Sequence, residues 1–341
     1  MIPVNDRISP LHGAGGEMMG QLLAEHVLPH FAASQVGRID LSAMDDGATI
    51  QLPSAGELVM TTDSHIVKPI FFPGGDIGKL AAAGTLNDLA VMGARPLALS
   101  LAVIIEEDFA IADIDRIVKS FADTLIGSEA PLICGDTKVM GRGEIDGIAI
   151  NTTGLGIADP AIGDAGACPG DVVIVTGSMG DHGMALLSAR QEFHLETELV
   201  SDVASIWPMI QTILPLGGIH AMKDPTRGGL AAALNEMASK SKTTIEVSHS
   251  AIPIRPEVQG LSDMLGISPL EVANEGKAVV VVAPESAEQV LKTLREHPLG
   301  RNAALIGHVG TNYPGRVVVT TDVGGRRFLD MPLGDPVPRI C

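Results

Sequence analysis

Aromatic side chains are scarce in this sequence: seven Phe, one Tyr and one Trp in 341 residues. Any core must therefore be packed mainly from Val, Ile, Leu, Ala and Met, within a hydrophobic fraction of 45%. Cysteine is scarcer still. Cys134, Cys168 and Cys341 form no CxxC pair and cannot build a disulfide framework. The opening stretch MIPVNDRISP lacks the basic-then-apolar layout of a signal peptide, so a reducing cytoplasm is the expected location. No apolar run approaches the length of a membrane span. Positive charge is also short, with 23 Lys and Arg against 41 Asp and Glu and a formal net charge of −18. Such a surface repels nucleic acid phosphates and anionic lipid, which excludes both as expected partners. It also means that a phosphate-rich ligand needs a bound cation or focused local positive groups.

The common nucleotide and hydrolase signatures are missing too. In PGGDIGKL, Leu80 follows Gly78-Lys79 where a phosphate loop needs Ser or Thr, and Pro73 occupies the place of its first Gly. GAGGEM and GRGEID both miss the third Gly of the dinucleotide fingerprint. His26 and His30 have the spacing of a helical metal pair, but Pro29 between them breaks the register. Neither HExxH nor GxSxG occurs.

The length suffices for two domains with developed cores, and 39 Gly and 22 Pro mark many turns. Spacing of Met18, Leu22, Leu23 and Val27 predicts a helix over 15–31. ELVMTTDSHIV reads as a strand bearing Asp63, and GGDIGKLAAAGTLNDLAVMGA as an Ala/Leu-rich helix ended by Gly93. PLALSLAVII is a buried strand, followed by a helix from about Asp113 to Leu125 and by the strands APLICGDTKV and DGIAINTTGLGI. The turn-rich DPAIGDAGACPGD is a linker. Beyond it DVVIVTG, KAVVVVAP and RVVVTTD predict strands, and SMGDHGMALLSAR, DPTRGGLAAALNEMAS and SAEQVLKTLREH predict helices or turns leading into them. The expected organisation is two mixed α/β halves.

Several residues stand out chemically. Asp63 ends an apolar strand, Asp88 follows Asn87 in the Ala-rich helix, and Asp136 follows LICG. Carboxylates converging from separate segments are what Mg²⁺ demands, although Asp63 and Asp136 also suit turns and Asp88 an exposed helix face. HGAGG, PGGDIG and PTRGG can offer backbone N–H groups to phosphate, and Arg227 adds a forked cation. Glu275, between Asn274 and Lys277 before a strong strand, is either a general base or a solvated turn glutamate. Lys138 is a phosphate contact, a proton-handling amine or a surface lysine.

Taken together, HGAGG, TTDSH, FFPGGDIGKLAAAGTLNDLAVMGARP, GDTKV, DPTRGG, ANEGK and the terminal PRIC resemble the HypE family of hydrogenase maturation factors, in order along nearly the whole chain. The internal motifs alone also fit the wider superfamily typified by aminoimidazole ribonucleotide synthetase; the Cys-terminated tail is the specific feature. His65 is a departure, standing where the resemblance leads one to expect an aromatic residue. The resemblance implies an α/β (α+β) two-domain fold with mixed and antiparallel sheets. Its expected parts are an ATP-binding and dimerisation domain over 1–158, a second α/β domain over 168–330, and a mobile tail over 331–341. It implies a homodimer with ATP near the interface.

The same resemblance implies that a carbamoyltransferase, HypF, loads a carbamoyl group onto Cys341. ATP-driven dehydration then gives a thiocyanate, and a HypC–HypD complex accepts the cyanide for the iron of nickel–iron hydrogenase. ATP and Mg²⁺ are the implied cofactors. Asp63, Asp88 and Asp136 are the implied metal ligands, and Asn87, Lys79 and Arg227 join them around the nucleotide. Glu275 and Lys138 are the catalytic candidates, with interchangeable roles as base and assistant. Gly334 would act as a pivot for the arm, with Pro336 and Pro338 as stiffeners. Two rival expectations are a small-molecule phosphorylating enzyme of the same superfamily and a non-enzymatic adaptor that docks through its tail.

Overall fold

The computed structural model describes residues 16–22, 24–25, 38–39, 43–52, 56–128, 130–190, 197–334, 336–337 and 340. Most of the helix expected over 15–31, and Cys341, Arg339 and Pro338 of the tail, lie outside the described residues.

The first half is a five-stranded sheet carrying two long helices. Its elements are α1 (Gly16–Leu22), β1 (Ala48–Gln51), β2 (Glu57–His65), the short pair β3 (Phe71–Phe72) and β4 (Gly75–Asp76), then α2 (Ile77–Val91). They continue with β5 (Arg95–Glu106), α3 (Ile111–Ile126), β6 (Leu132–Met140) and β7 (Ile148–Ala158). The strand order is β1-β2-β7-β5-β6; β5 and β6 run parallel and the other neighbours antiparallel. Asp76 starts α2 by accepting from the N–H groups of Gly78 and Lys79 at 2.9 and 3.1 Å, and from the Ser120 hydroxyl. α2 is buried almost all round, as its Ala, Gly and Leu content demands of a helix wedged between layers. α3 is amphipathic and turns Ile117, Phe121 and Leu125 inward.

The second half is a seven-stranded sheet with helices on both faces. It contains β8 (Val172–Val175), α4 (Asp181–Ala189), α5 (Trp207–Ile213), β9 (Ile219–Lys223), α6 (Gly229–Ser241) and β10 (Thr244–Ser248). After these come α7 (Pro256–Leu265), β11 (Val279–Val282), α8 (Pro284–Glu296), β12 (Ala304–Gly310), β13 (Arg316–Thr320) and β14 (Arg326–Leu329). Strand order is β14-β13-β10-β12-β8-β11-β9, with only β10 and β13 parallel. The four consecutive valines of β11 are fully buried because α6 covers one face of the sheet and α5 with α8 the other. The mixed and antiparallel sheets are those the resemblance implied.

α2 joins the halves. Asn87 Nδ2 donates to the carbonyls of Ala204 and Glu275, both at 3.1 Å, and its Oδ1 accepts from Ile206 N–H at 2.8 Å. The side chain is 1% exposed, so its loss would strand three backbone groups away from water. Asn87→Ala is expected to cost about 2–4 kcal/mol, given about 1–3 kcal/mol for each unsatisfied group and partial relaxation. Urea denaturation checks this; an unchanged midpoint would show that the clamp is dispensable.

Candidate active site

Period-two alternation along β2 sends Thr61, Asp63 and His65 to the face covered by α2. There Thr61 Oγ1 donates to Asp88 Oδ2 at 2.6 Å. One helical turn before Asp88, Gly84 leaves room for the strand: a Cβ on it would lie 3.0 Å from both Asp63 Oδ2 and His65 Cε1. Asp46 enters from the loop before β1, Asp224 from the end of β9, and Glu275 from the loop before β11. Acidic groups from both halves thus meet beside α2.

Their electrostatics are those of crowded anions. Burial, then the charges of Asp224, Asp63 and Asp46, push the Asp88 carboxyl well above its ordinary range. Asp224 is raised to about 8 by burial and by Asp46, against the opposing charge of Lys223. Glu275, 2% exposed, is pushed well up by burial and then by Asp224, Asp63 and Asp202, with Arg227 opposing. Asp63 goes the other way. Burial would raise it, but neighbouring His65, then Arg227 and the Ser64 N–H, bring it below the usual value. His65 Nε2 stands 3.1 Å from Asp63 Oδ2 but off the hydrogen-bond line, so the contact is electrostatic.

Lys223 is the buried counter-ion. Its Nζ lies 2.5 Å from Asp46 Oδ1, 3.3 Å from Glu236 and 3.6 Å from Asp164. Desolvation disfavours its charge, but these carboxylates outweigh that and hold it protonated well beyond the ordinary lysine range. Even so, Asp46 Oδ2, Asp224 Oδ2 and Glu275 Oε1 have no hydrogen-bond partner. Unpartnered carboxylate oxygens are the donor type that a hard divalent cation takes. The donor chemistry therefore suits Mg²⁺, while among the described residues no three of these carboxylates bring an oxygen each to within 4.8 Å of one another.

The expected ligand set divides within one chain. Asp63 and Asp88 come together, but Asp136 does not join them within one chain. It sits on β6, and β5 and β7 stand between that strand and β2. Through the register Asp136–Ala102–Asn151–Ser64 it lies level with the end of β2 but three strand spacings away, roughly 14 Å. Lys138 shares its strand, and both are exposed. Inside the chain the other carboxylates that act on Asp88 beside Asp63 are Asp224 and Asp46.

Other sequence candidates also separate. Asn87, expected at the nucleotide, spends its hydrogen-bonding groups on the clamp between the halves. Lys79 donates to Gly74 O at 2.9 Å; burial lowers its pKa, while Asp76 and Asp202 hold it up. It belongs to the Asp202 side of the site. Arg227 stays with the cluster, close enough for its charge to act on Asp63 and Glu275. Sequence reasoning passed over Asp46, Asp224 and Asp202. Asp224 carried the same sign as Asp63, an aspartate closing an apolar strand, but the Arg and Gly of DPTRGG drew attention from it.

Asp202 organises the base candidate. Its carboxylate accepts from the N–H groups of Glu275 and Gly276, both at 3.2 Å, and Lys277 Nζ is 3.5 Å away. Asp181 nearby is raised to about 6, by burial and then by Asp202.

The raised carboxyls set a pH dependence. Folded Asp224 keeps its proton to about pH 8, whereas the unfolded chain releases it near the ordinary carboxylate value of 3.8. The folded state binds the extra proton between those limits, so stability falls as pH rises through that window. In metal-free protein the urea midpoint should fall from pH 5 to pH 8. Asp224→Asn should flatten that fall and be the more stable form at pH 8; parallel curves for the two proteins would contradict the assignment.

Comparison with known proteins follows this geometry. The family described as AIR synthase related protein, N-terminal domain, matches residues 44–158, and its C-terminal domain matches residues 168–320. A carbamoyl dehydratase HypE of Rhizobium leguminosarum bv. viciae is 46% identical over 342 residues, covering 99% of this chain and 96% of that protein. A solved structure of HypE in complex with ATP is 41% identical and superposes with a TM-score of 0.81 over 97% of this chain and 98% of that one. The HypE chain of a HypE–HypF complex is 40% identical, with a TM-score of 0.84 over 91% of this chain and 99% of its own. This chain belongs to the AIR synthase related family and, within it, to the HypE carbamoyl dehydratases.

Proposed function

We propose that this chain dehydrates a carbamoyl group carried on Cys341 to a thiocyanate, at the expense of ATP, and so supplies the cyanide ligand for the iron of nickel–iron hydrogenase. One observation carries the reading. Near its end the chain packs into the body beside the base candidate: Val337 is 0% and Ile340 3% exposed. A Cβ on Gly183 would lie 2.7 Å from Ile340 Cδ1 and 2.3 Å from Val272 Cγ1, three residues before Glu275. Up to Ile340, the residue before Cys341, the end of the chain is thus held against the loop that leads to Glu275.

The reaction converts S–C(=O)–NH₂ to S–C≡N. The carbamoyl oxygen takes the γ-phosphoryl group of ATP, the nitrogen gives up two protons, and the C–O bond breaks as phosphate departs. Glu275 is the residue to accept a nitrogen proton. Its buried, unpartnered Oε1 has no competing donor, and Arg227 with a bound cation would shift it towards the ionised form the role requires. Asp63, Asp88, Asp46 and Asp224 would hold Mg²⁺, which when bound supplies positive charge to the nucleotide phosphates. Burial of the site keeps water from the activated carbamoyl.

Asp136 and Lys138 enter this reading through a second copy. The edge strand β6 exposes Leu132, Ile133 and Val139, an apolar open edge of the kind that proteins cover. A homodimer pairing these sheets would cover it and bring Asp136 and Lys138 towards a neighbouring site they cannot reach in their own chain. HypF is the proposed carbamoyl donor and a HypC–HypD complex the acceptor; neither nucleic acid nor membrane takes part. Among the described residues no helix is long and apolar enough to cross a membrane. The cytoplasm is the proposed location.

Intact mass after incubation with the carbamoyl donor, and then with ATP, tests the function. The wild-type chain should gain one carbamoyl group and then lose one water; Cys341→Ala should gain nothing, and a normal gain on it would reject the carrier role. Glu275→Gln should load normally but dehydrate about 10²–10⁴-fold more slowly, so that the carbamoylated form accumulates. Undiminished nitrile formation would remove Glu275 as the base.

A further inference from the structure

Next to the site lies a buried imidazole that the mechanism above does not use. His182, the second residue of α4, is 0% exposed. Its Nε2 lies 3.0 Å from the carbonyl oxygen of Ile340 and its Nδ1 2.7 Å from Ser201 Oγ. The Phe72 ring meets it edge-on, with centroids 5.4 Å apart. We propose that His182, oriented by Ser201, is the latch that docks the C-terminal arm for dehydration by hydrogen-bonding the Ile340 carbonyl. This rests on the reading that Cys341 carries the reacting group.

The hydrogen-bond pattern fixes the proton. A carbonyl oxygen can only accept, so Nε2 carries the hydrogen. Burial holds the ring's pKa below its ordinary value, against the opposing pull of Asp202 and the Ile340 carbonyl, so the imidazole is neutral and Nδ1 is an acceptor. The Ser201 hydroxyl therefore donates to Nδ1. Ser201 is itself fixed, because its Oγ accepts from Val203 N–H at 3.0 Å and its own N–H donates to Pro73 O at 2.8 Å. The ring is thus aimed at one acceptor, and that acceptor belongs to the residue bonded to Cys341.

The latch is stitched to the loops that hold the base candidate. Gly183 N–H donates to Ala273 O at 3.2 Å, and Gly180 N–H to Asn274 Oδ1 at 2.8 Å. Asp202, next to Ser201, holds the N–H groups of Glu275 and Gly276. The Ile340 side chain fills the space that Gly183 leaves by lacking a Cβ. Carbonyl and side chain together hold Ile340, the residue covalently bonded to Cys341. A neutral hydrogen bond plus one buried side chain is a reversible hold. It suits an arm that must also leave the body to be loaded and to deliver its cargo.

The test needs no activity. Cys341 of the full-length chain is alkylated with iodoacetamide and its labelling rate is read by peptide mass. His182→Ala should speed labelling about tenfold, the population change expected when one net hydrogen bond is lost. His182→Gln, which keeps an N–H donor at the same reach, should restore a slow rate. Ser201→Ala and Ile340→Ala should also speed labelling, and they keep the question open to decision if His182→Ala fails to fold. A folded His182→Ala with the wild-type labelling rate, or equal rates for Ser201→Ala, Ile340→Ala and wild type, would overturn the latch.

A second arm uses the carbamoylated protein. His182→Ala should load the carbamoyl group at the wild-type rate but dehydrate it more slowly, with rescue by His182→Gln; equal dehydration rates would overturn the positioning role. If the wild-type chain neither accepts nor dehydrates a carbamoyl group, the functional reading fails while the labelling arm still decides the latch.

Discussion

Mutual repulsion among buried and half-buried carboxylates is the constraint around which this molecule is arranged. Asp46, Asp63, Asp88, Asp224 and Glu275 are drawn from separate segments of both halves into one electrostatically coupled group. Left alone, such a group either protonates or acquires positive charge. The chain does some of each. Lys223 remains charged within it, Arg227 moderates Asp63 and Glu275, and Asp88, Asp224 and Glu275 retain protons at pH values where exposed carboxylates have lost them. In the proposed reading the unpartnered oxygens that remain would hold a cation and, through it, a nucleotide. Such a cation would meet the difficulty that a chain of net charge −18 poses for phosphate binding.

Holding the repelling groups together falls to α2. Its small residues let β2 approach closely on one side, as the tight spacing at Gly84 demonstrates. Asn87 ties the other side to the backbone of the second half, directly beneath Glu275. The helix thus presents Asp88 while fixing the distance between two sheets that lack strand pairing with each other. Across the junction, Asp202 spends its carboxylate on the N–H groups of Glu275 and Gly276, and Ser201 beside it orients His182. The partners of the base candidate, the tail contact and the interdomain clamp therefore share the short stretch 201–206. A shift in any of them moves the others.

Much of this was legible residue by residue. The Ala/Leu run marked α2, although Asp76 rather than the preceding glycines starts it. The valine run marked β11, and Asp63 announced itself by ending an apolar strand. The helix of SMGDHGMALLSAR was anticipated after a Gly-rich turn, and Gly180 indeed adopts φ 84° before α4. The strands β9, β10, β12 and β14 and the helices α5 and α7 gave no such signal. They are short, and their apolar pattern is completed by neighbours distant in sequence. Asp136 shows what a local pattern leaves out. Its local signature matches that of Asp63, but strand order, which no local pattern encodes, inserts β7 and β5 between them.

By itself the sequence determined the class of the fold, the family, the acidic residues available and the thiol at the chain's end, because these follow from composition, periodicity and motif. Tertiary structure alone decided which acids meet. It set Asp224 and Asp46 beside Asp63 and Asp88 with Asp136 three strands away, placed the Asn87 amide between the two halves, and set His182 against the Ile340 carbonyl across 158 positions of sequence. The physical reason is the same in each case: carboxyl coupling and hydrogen bonding act over a few ångströms in space, and only the packing of α2 between the two sheets makes those distances short.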